Sequence, residues 1–324
     1  MNKKKDLSII VPVYNEKNNI APFIAAIKKA VNFTNSYEVI FCLDPSNDGT
    51  YEEIQRELQK DDKLGMIVFS RRFGQPAATM AGILNCSGDA CVIIDVDLQD
   101  PPKLIKEMYD LYKKGNDTIL AQRISRKGES FLKRIIAKFG YKLINKIANV
   151  EIPKNTGDFR LISRKVIEEL RHHKETHGFL RGLNSIIGFK QEIIQYDREE
   201  RIHGKGNYNR YTGSIKIGFN GIFSFSTIPL TFLLFLGIIV FIISIIGIIY
   251  ILFNKIIYGV NYPMGIPTIT VLLLFIGGLN MMAIGILGEY IGRIYEEVKG
   301  RPHFIISESC NVEVLNRRGP NKLL

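Results

Sequence analysis

The sequence predicts an α/β domain wound around a parallel sheet, followed by amphipathic segments and a hairpin of two membrane helices. Three observations carry that expectation. Short aliphatic runs alternate with amphipathic stretches over residues 7–123, the pattern of successive βαβ units. One of these runs, Ala90–Ile94, ends in the carboxylate-rich string Asp95-Val96-Asp97-Leu98-Gln99-Asp100. Near the C-terminus, residues 229–253 and 267–287 contain no charged residue.

Leu7–Tyr14 is almost continuously apolar, as expected of a strand buried on both faces of a sheet. Asn15 and Glu16 then begin a helix that runs to about Val31. Tyr37–Leu43 reads as the second strand and ends in the turn-rich Asp44-Pro45-Ser46-Asn47-Asp48-Gly49-Thr50. A helix follows to about Gln59. Met66–Ser70 is a third strand and Gly74–Leu84 a third helix. Ala90–Ile94 follows Gly88, and Pro101-Pro102 opens an amphipathic helix to Lys114. Thr118–Gln122 is a further strand, ended by Arg123. Thr156–Ile162 is a turn entering a strand, with a helix from about Ser163. Ile193–Asp197 reads as the last strand of the domain.

Asp95 and Asp97 therefore stand where a strand leaves the sheet, the edge at which open α/β sheets bind ligands. Carboxylates one residue apart, with the Gln99 amide two residues further on, suit a hard divalent cation shared with substrate phosphates. Mg²⁺ or Mn²⁺ is the expected metal. No Gly-x-Gly-x-x-Gly follows the first strand, and no Walker lysine loop is present. Phosphates must then be handled by metal and side chains. Asp158 and Arg160 read either as a structural ion pair or as a catalytic carboxylate and a phosphate ligand. His172, His173 and His177 lie in a polar stretch without a zinc-enzyme carboxylate motif, and are read as a solvated helix end.

The net charge is +11. Basic residues cluster before and beside the apolar stretches, which favours an anionic membrane surface over nucleic acid as partner. Residues 131–149 place apolar residues at helical spacing with Lys133, Arg134, Lys138, Lys142 and Lys146 on or beside the other face. That is either an interfacial amphipathic helix or an ordinary surface helix. Residues 198–211 are polar, basic and glycine-containing, and read either as a linker or as a loop in which Arg201 and Lys205 grip an anion. None of the four cysteines forms a close-spaced metal pair, Cys42 and Cys91 fall in strand-like runs, and a reducing compartment is expected. The run after Met1–Asp6 is too short for a signal peptide, so no export of this domain is expected.

Residues 211–227 give a short amphipathic approach to the apolar stretches. Each of the two stretches is long enough to cross a hydrocarbon layer of ~30 Å. The short connection places both flanks on one side. Lys205, Arg210 and Lys216 precede the hairpin and Arg293, Lys299 and Arg301 follow it, whereas the connection holds only Lys255. Positive flanks put residues 1–210 and the tail 291–324 in the cytoplasm, with the hairpin within 228–290 in the plasma (inner) membrane. Gly277, Gly278, Gly285 and Gly288 allow close helix packing, including between protomers of a homo-oligomer. A membrane tether on a metal–diphosphate domain suits transfer from a nucleotide-activated donor to a lipid acceptor.

Val11-Pro12-Val13-Tyr14-Asn15-Glu16, Asp48-Gly49-Thr50 and Asp95-Val96-Asp97-Leu98-Gln99-Asp100-Pro101-Pro102 resemble the family-2 glycosyltransferases. That family has the GT-A fold, a Rossmann-like layout for nucleotide-diphospho-sugar transfer. Ser70-Arg71-x-Phe73-Gly74, Thr156-Gly157-Asp158-Phe159-Arg160-Leu161, Phe179-Leu180-Arg181-Gly182 and Val298-Lys299-Gly300-Arg301-Pro302 are similar to the polyprenyl-phosphate glycosyltransferases within it. These are the dolichol-phosphate mannose synthase-like and bacterial GtrB-like enzymes. The likeness covers nearly the whole chain.

The resemblance implies inverting transfer of one sugar from a nucleoside diphosphate sugar, such as UDP-glucose, to a polyprenyl phosphate. Pro12, Tyr14 and Glu16 would line the nucleotide pocket, and Asp44 would meet the base. Asp95, Asp97 and Gln99 would hold the metal against the diphosphate. Arg123, Arg134, Arg201 and Lys205 would meet the acceptor phosphate or the departing diphosphate. Asp158 and Arg160 would sit near the reacting sugar. The chain departs from the family at Leu43-Asp44-Pro45-Ser46, where Asp-Asp-Gly-Ser is usual, which bears on base recognition. A processive polysaccharide synthase would carry a Gln-x-x-Arg-Trp motif and more spans, and this chain has no tryptophan. A catalytically inactive nucleotide-sugar-binding scaffold is the alternative of a different class.

Overall fold

The computed structural model describes residues 5–124, 156–172, 188–197, 228–259 and 265–315. The chain forms two units, one of residues 1–218 with 300–324, the other of residues 219–299.

In the first unit the elements are β1 (Lys5–Val13), α1 (Lys17–Ala30), β2 (Tyr37–Leu43), α2 (Thr50–Leu58), β3 (Leu64–Phe69), α3 (Gln75–Asn85), β4 (Gly88–Ile93), α4 (Leu104–Lys113), β5 (Thr118–Arg123), β6 (Thr156–Ser163), α5 (Arg164–His172) and β7 (Gln191–Tyr196). Each strand and helix expected from the aliphatic runs is present, with ends displaced by a residue or two. Pro101 and Pro102 do not enter α4. Their carbonyls accept the amides of Leu104 and Ile105, so they form the turn that leads into it.

Alternation along the strands builds two apolar layers. Leu7, Ile9 and Val11 of β1 pack with Phe23 and Ile27 of α1, Ile54 of α2 and Ile105 and Met108 of α4. Ile10, one residue out of phase, joins Ile40, Cys42 and Ile67 with Ala78 and Ala81 of α3 and Val166, Ile167 and Leu170 of α5. Such two-sided burial explains why the strands read as unbroken aliphatic runs. The second layer is tight. A Cβ on Gly82 of α3 would lie 2.2 Å from Ile10 Cγ2 and 2.8 Å from Cys42 Sγ. Gly82→Ala therefore overpacks this seam and should cost about 1–3 kcal/mol, read as a lower denaturation midpoint in detergent. All four cysteines are free thiols, and Cys42, Cys86 and Cys91 are buried.

The sheet has the order β7-β5-β6-β4-β1-β2-β3, with one more strand, β8 (Ile306–Cys310), beside β3. It is mixed, which corrects the expected parallel sheet. β1 pairs in parallel with β2 and β4, β2 with β3, and β5 with β7. β6 runs antiparallel to both β4 and β5. Its first residues therefore lie where its neighbours end, with Arg160 opposite Ile93 and Thr156 opposite Gln122. β8 is antiparallel to β3 and comes from the segment that the sequence leaves as a tail.

The second unit contains two long helices, α6 (Ile228–Tyr258) and α7 (Ile266–Val298), which include both charge-free stretches. Large apolar side chains are exposed along both, among them Phe235, Ile246, Phe275 and Met281. Among the described residues, the 24-residue stretch Phe275–Val298 is long and apolar enough to cross a membrane by length and composition. Arg293 and Glu289 pair one turn apart in α7 at 2.8 Å.

Candidate active site

The site forms at the carboxyl ends of β1, β2, β3 and β4, where the following loops converge. After β4, Val96 is buried and Asp97 nearly so, anchoring the acidic string to the domain. Leu98 adopts a left-handed backbone with φ 56°. A leucine in that region is a strained choice. It folds the string back so that the Gln99 amide donates to Asp97 Oδ1 at 3.2 Å. The donor set of Asp95, Asp97 and Gln99 is all hard oxygen, which fits Mg²⁺ or Mn²⁺. Among the described residues no three His, Cys, Asp or Glu side chains form a metal-binding group.

Asp158 reaches this edge because β6 is reversed. The side-chain amide of Gln75, the first residue of α3, donates to Asp95 Oδ1 at 2.9 Å and to Asp158 Oδ2 at 3.4 Å. One amide thus ties together two carboxylates 63 positions apart in the chain. Arg160, expected near the reacting sugar, is 1% exposed. Its guanidinium donates to the Gly157 carbonyl at 2.8 Å and the Asp158 carbonyl at 3.3 Å, and lies 3.8 Å from Asp158 Oδ1. Arg160 holds the turn that presents Asp158.

Asp100 is 1% exposed and anchors Arg123, whose guanidinium lies 3.5 Å from Asp100 Oδ1. The Tyr196 hydroxyl donates to the same oxygen and accepts from Arg123 Nε at 3.0 Å. Burial, then the Asp100 charge, pushes the Tyr196 phenol well above its ordinary value, so it remains a donor. A Cβ on Gly157 would lie 2.8 Å from Arg123 Nη2, so the guanidinium rests directly on the backbone beside Asp158.

At the carboxyl ends of β1 and β2, the β1–α1 and β2–α2 loops are braced together. The Asn15 amide donates to Ser46 Oγ at 3.0 Å, Glu16 to Thr50 Oγ1 at 3.0 Å, and Lys17 to Asp48 Oδ2 at 3.2 Å. Burial alone would raise the Asp48 carboxyl, but bonds from Thr50 and the Lys17 amide hold it below the usual carboxylate value. Ser46 Oγ in turn donates to the Asp44 carbonyl at 2.9 Å, so the unusual Leu43-Asp44-Pro45-Ser46 stretch is an ordered turn. Pro12 is buried at the end of β1. Arg72 lies over the Tyr14 ring, 3.9 Å from its centroid, and Glu16 accepts from Asn19 Nδ2 at 2.5 Å.

Asp44 is 2% exposed, and its two oxygens accept the Phe73 and Gly74 amides, each at 2.9 Å. It clamps the loop after β3. Asp44→Asn places an NH₂ donor against one of those amides and should loosen the loop by about 1–3 kcal/mol. The expected result is a lower denaturation midpoint in detergent.

Of the residues singled out in the sequence, the structure brings Pro12, Tyr14, Glu16, Asp44, Asp95, Asp97, Gln99, Arg123, Asp158 and Arg160 to one edge of the sheet. Arg134, Arg201 and Lys205 lie outside the described residues, as do residues 131–149 and the Phe179–Gly182 motif. Gln75, Asp100, Tyr196 and Arg72 escaped sequence reasoning. For Gln75 a signal existed, since a residue that starts a helix directly after a strand and Gly74 faces the carboxyl edge.

An open α/β domain with a reversed strand and an acidic string at its carboxyl edge fits the GT-A layout, and the family comparison makes the protein a glycosyltransferase. The chain belongs to glycosyl transferase family 2, whose model matches residues 8–171. It is similar, at 39% identity over 302 residues, to a prophage bactoprenol glucosyl transferase homolog of Escherichia coli, covering 93% of this chain and 98% of that one. The bactoprenol glucosyl transferase of Shigella phage SfII is 38% identical over 304 residues, 94% of this chain and 98% of that one. An uncharacterized glycosyltransferase of Synechocystis sp. is 37% identical over 311 residues, 96% of this chain and 97% of that one.

Proposed function

We propose that this glycosyltransferase moves one sugar, with inversion, from a nucleoside diphosphate sugar to a polyprenyl phosphate at the cytoplasmic face of the membrane. UDP-glucose or a similar donor and undecaprenyl phosphate are the proposed substrates. The observation that carries the reading is the convergence of Asp95 and Asp158 on Gln75. It sets a group from the reversed strand β6 beside the acidic string, where donor diphosphate and acceptor must meet. Similarity over nearly the full length to bactoprenol glucosyl transferases supports the lipid acceptor.

In this reading Pro12, Tyr14 and Glu16 line the nucleotide pocket, and Asp44 shapes it through the loop it clamps. Asp95, Asp97 and Gln99 hold Mg²⁺ or Mn²⁺, which when bound neutralises the diphosphate. Arg123, with Arg134, Arg201 and Lys205, binds acceptor phosphate or departing diphosphate. An acceptor phosphate oxygen bonds to the anomeric carbon as the bond from that carbon to the diphosphate oxygen breaks. The electron pair leaves on the nucleoside diphosphate. The acceptor is already anionic near neutral pH, so no strong general base is needed, and Asp158 orients sugar or acceptor. Arg123 stabilises the charge that develops on the leaving group.

The two charge-free stretches, in α6 and α7, form the membrane hairpin, with the α/β domain and both termini cytoplasmic. The test uses full-length protein in detergent with Mg²⁺ or Mn²⁺, undecaprenyl phosphate and a panel of radiolabelled UDP- and GDP-sugars. Label entering the organic phase from one donor is the expected result. No lipid product, with nucleotide-sugar binding that depends on Asp97, would overturn it in favour of a binding scaffold.

A further inference from the structure

The α/β sheet is completed by residues that follow the second long helix. Phe304 is 0% exposed. Its ring meets Phe69 edge-on with centroids 6.1 Å apart, and Phe69 meets Phe73 in the same way at 6.1 Å. The Ile305 carbonyl accepts the Ser70 amide at 3.0 Å. Ile306 pairs with Phe69, at a register shift between Val68 and Phe69, and Ser307 Oγ donates to the Val68 carbonyl at 3.0 Å. The end of β3 and the start of the next loop are thus gripped from outside by Phe304–Ser307.

That loop leads straight to the site. Its Phe73 and Gly74 amides are taken by Asp44, and Gln75 spans Asp95 and Asp158. Arg72 lies on Tyr14. Gly74 has φ 88°, a conformation that side-chain-bearing residues rarely adopt. The loop is therefore held at two places, by Asp44 from β2 and by Phe304–Ser307 from the C-terminal segment.

We infer that Phe304, Ile305 and Ser307 are positioning residues for the donor site: they hold Ser70–Gln75 so that the Gln75 amide and Arg72 stand where the nucleoside diphosphate sugar binds. The inference rests on the transfer reaction proposed above. Reacting groups displaced by about 1 Å lose roughly 10²-fold in rate, so the strand's hold on the loop reaches the chemistry without touching substrate.

Steady-state kinetics on the protein in detergent test this, comparing wild type, Phe304→Ala, Phe304→Leu, Ser307→Ala, Gln75→Ala and the Phe304→Ala/Gln75→Ala double variant. Phe304→Ala is expected to lower kcat/KM for the donor about ten- to hundredfold, leave the lipid KM within about twofold, and be partly rescued by Phe304→Leu. Its effect should not multiply with that of Gln75→Ala, because both act on one loop. A folded Phe304→Ala enzyme with wild-type donor KM and kcat would overturn the inference, as would fully multiplicative effects. Should Phe304→Ala not fold, Phe304→Leu and Ser307→Ala decide by the same split between donor kcat/KM and lipid KM. If wild type transfers no sugar from any donor, the proposed reaction has failed instead. UDP-glucose affinity in Mn²⁺, weakened by Phe304→Leu or unchanged, then decides the positioning role alone.

Discussion

Replacing Asp97 with Asn should lower transfer by about 10³-fold or more while the protein remains folded. The residue is 4% exposed and its carboxylate accepts the Gln99 amide, a bond that an asparagine oxygen can also accept. What the substitution removes is charge. In the proposed site, a hard cation held by two carboxylates would lose half of its protein-supplied negative charge, and with it the neutralisation of the leaving diphosphate. Removing a single preorganised stabilising group costs about 10²–10³ in turnover, and weakened metal binding adds to that. The measurement is radiolabel transfer to undecaprenyl phosphate over a Mn²⁺ titration, beside a melting curve. Near-normal turnover would remove the metal site from Asp95–Gln99. A loss that high Mn²⁺ partly restores would place the defect in metal affinity.

Arg123→Gln has the second large effect, and it separates structure from chemistry. Asp100 is buried, and the Arg123 guanidinium lies 3.5 Å from it. Removing one partner of a buried ion pair costs about 3–5 kcal/mol. The Tyr196 hydroxyl keeps its bond to Asp100, which brings the expectation toward the lower figure. Adding Asp100→Asn removes the buried negative charge, so Arg123→Gln/Asp100→Asn should recover much of the denaturation midpoint. Activity should not return, because the guanidinium resting on Gly157 beside Asp158 is still missing. If turnover recovers along with stability, Arg123 is only a structural partner of Asp100 and its role in phosphate binding falls.

Much of this site is legible in the sequence. Asp95 and Asp97 fall at the ligand edge because an aliphatic strand must end there, and its carboxyl end faces that edge. Burial on both sides of the sheet makes the strands plain, since two apolar layers leave an unbroken aliphatic signature in β1, β2 and β4. The two long helices are equally plain, because charge-free stretches of that length have few alternatives in water.

Strand direction leaves no such mark. A buried strand has the same composition whichever way it runs, so β6 reads as one more parallel strand. Its reversal is what carries Asp158 to Asp95 and buries Arg160 behind it. The β8 segment, Ile-Ser-Glu-Ser-Cys, is short and mostly polar, and only pairing with β3 reveals it as part of the sheet. Asp44 and Asp100 are visible as residues, but their partners lie 29 and 96 positions away. Local periodicity and composition suffice for the α/β class, the acidic edge and the two apolar helices, because each is written within a short stretch of chain. Which carboxylates meet, which arginine is buried and which strand closes the sheet emerge only in the folded chain. They follow from strand direction and long-range pairing, which no local pattern records.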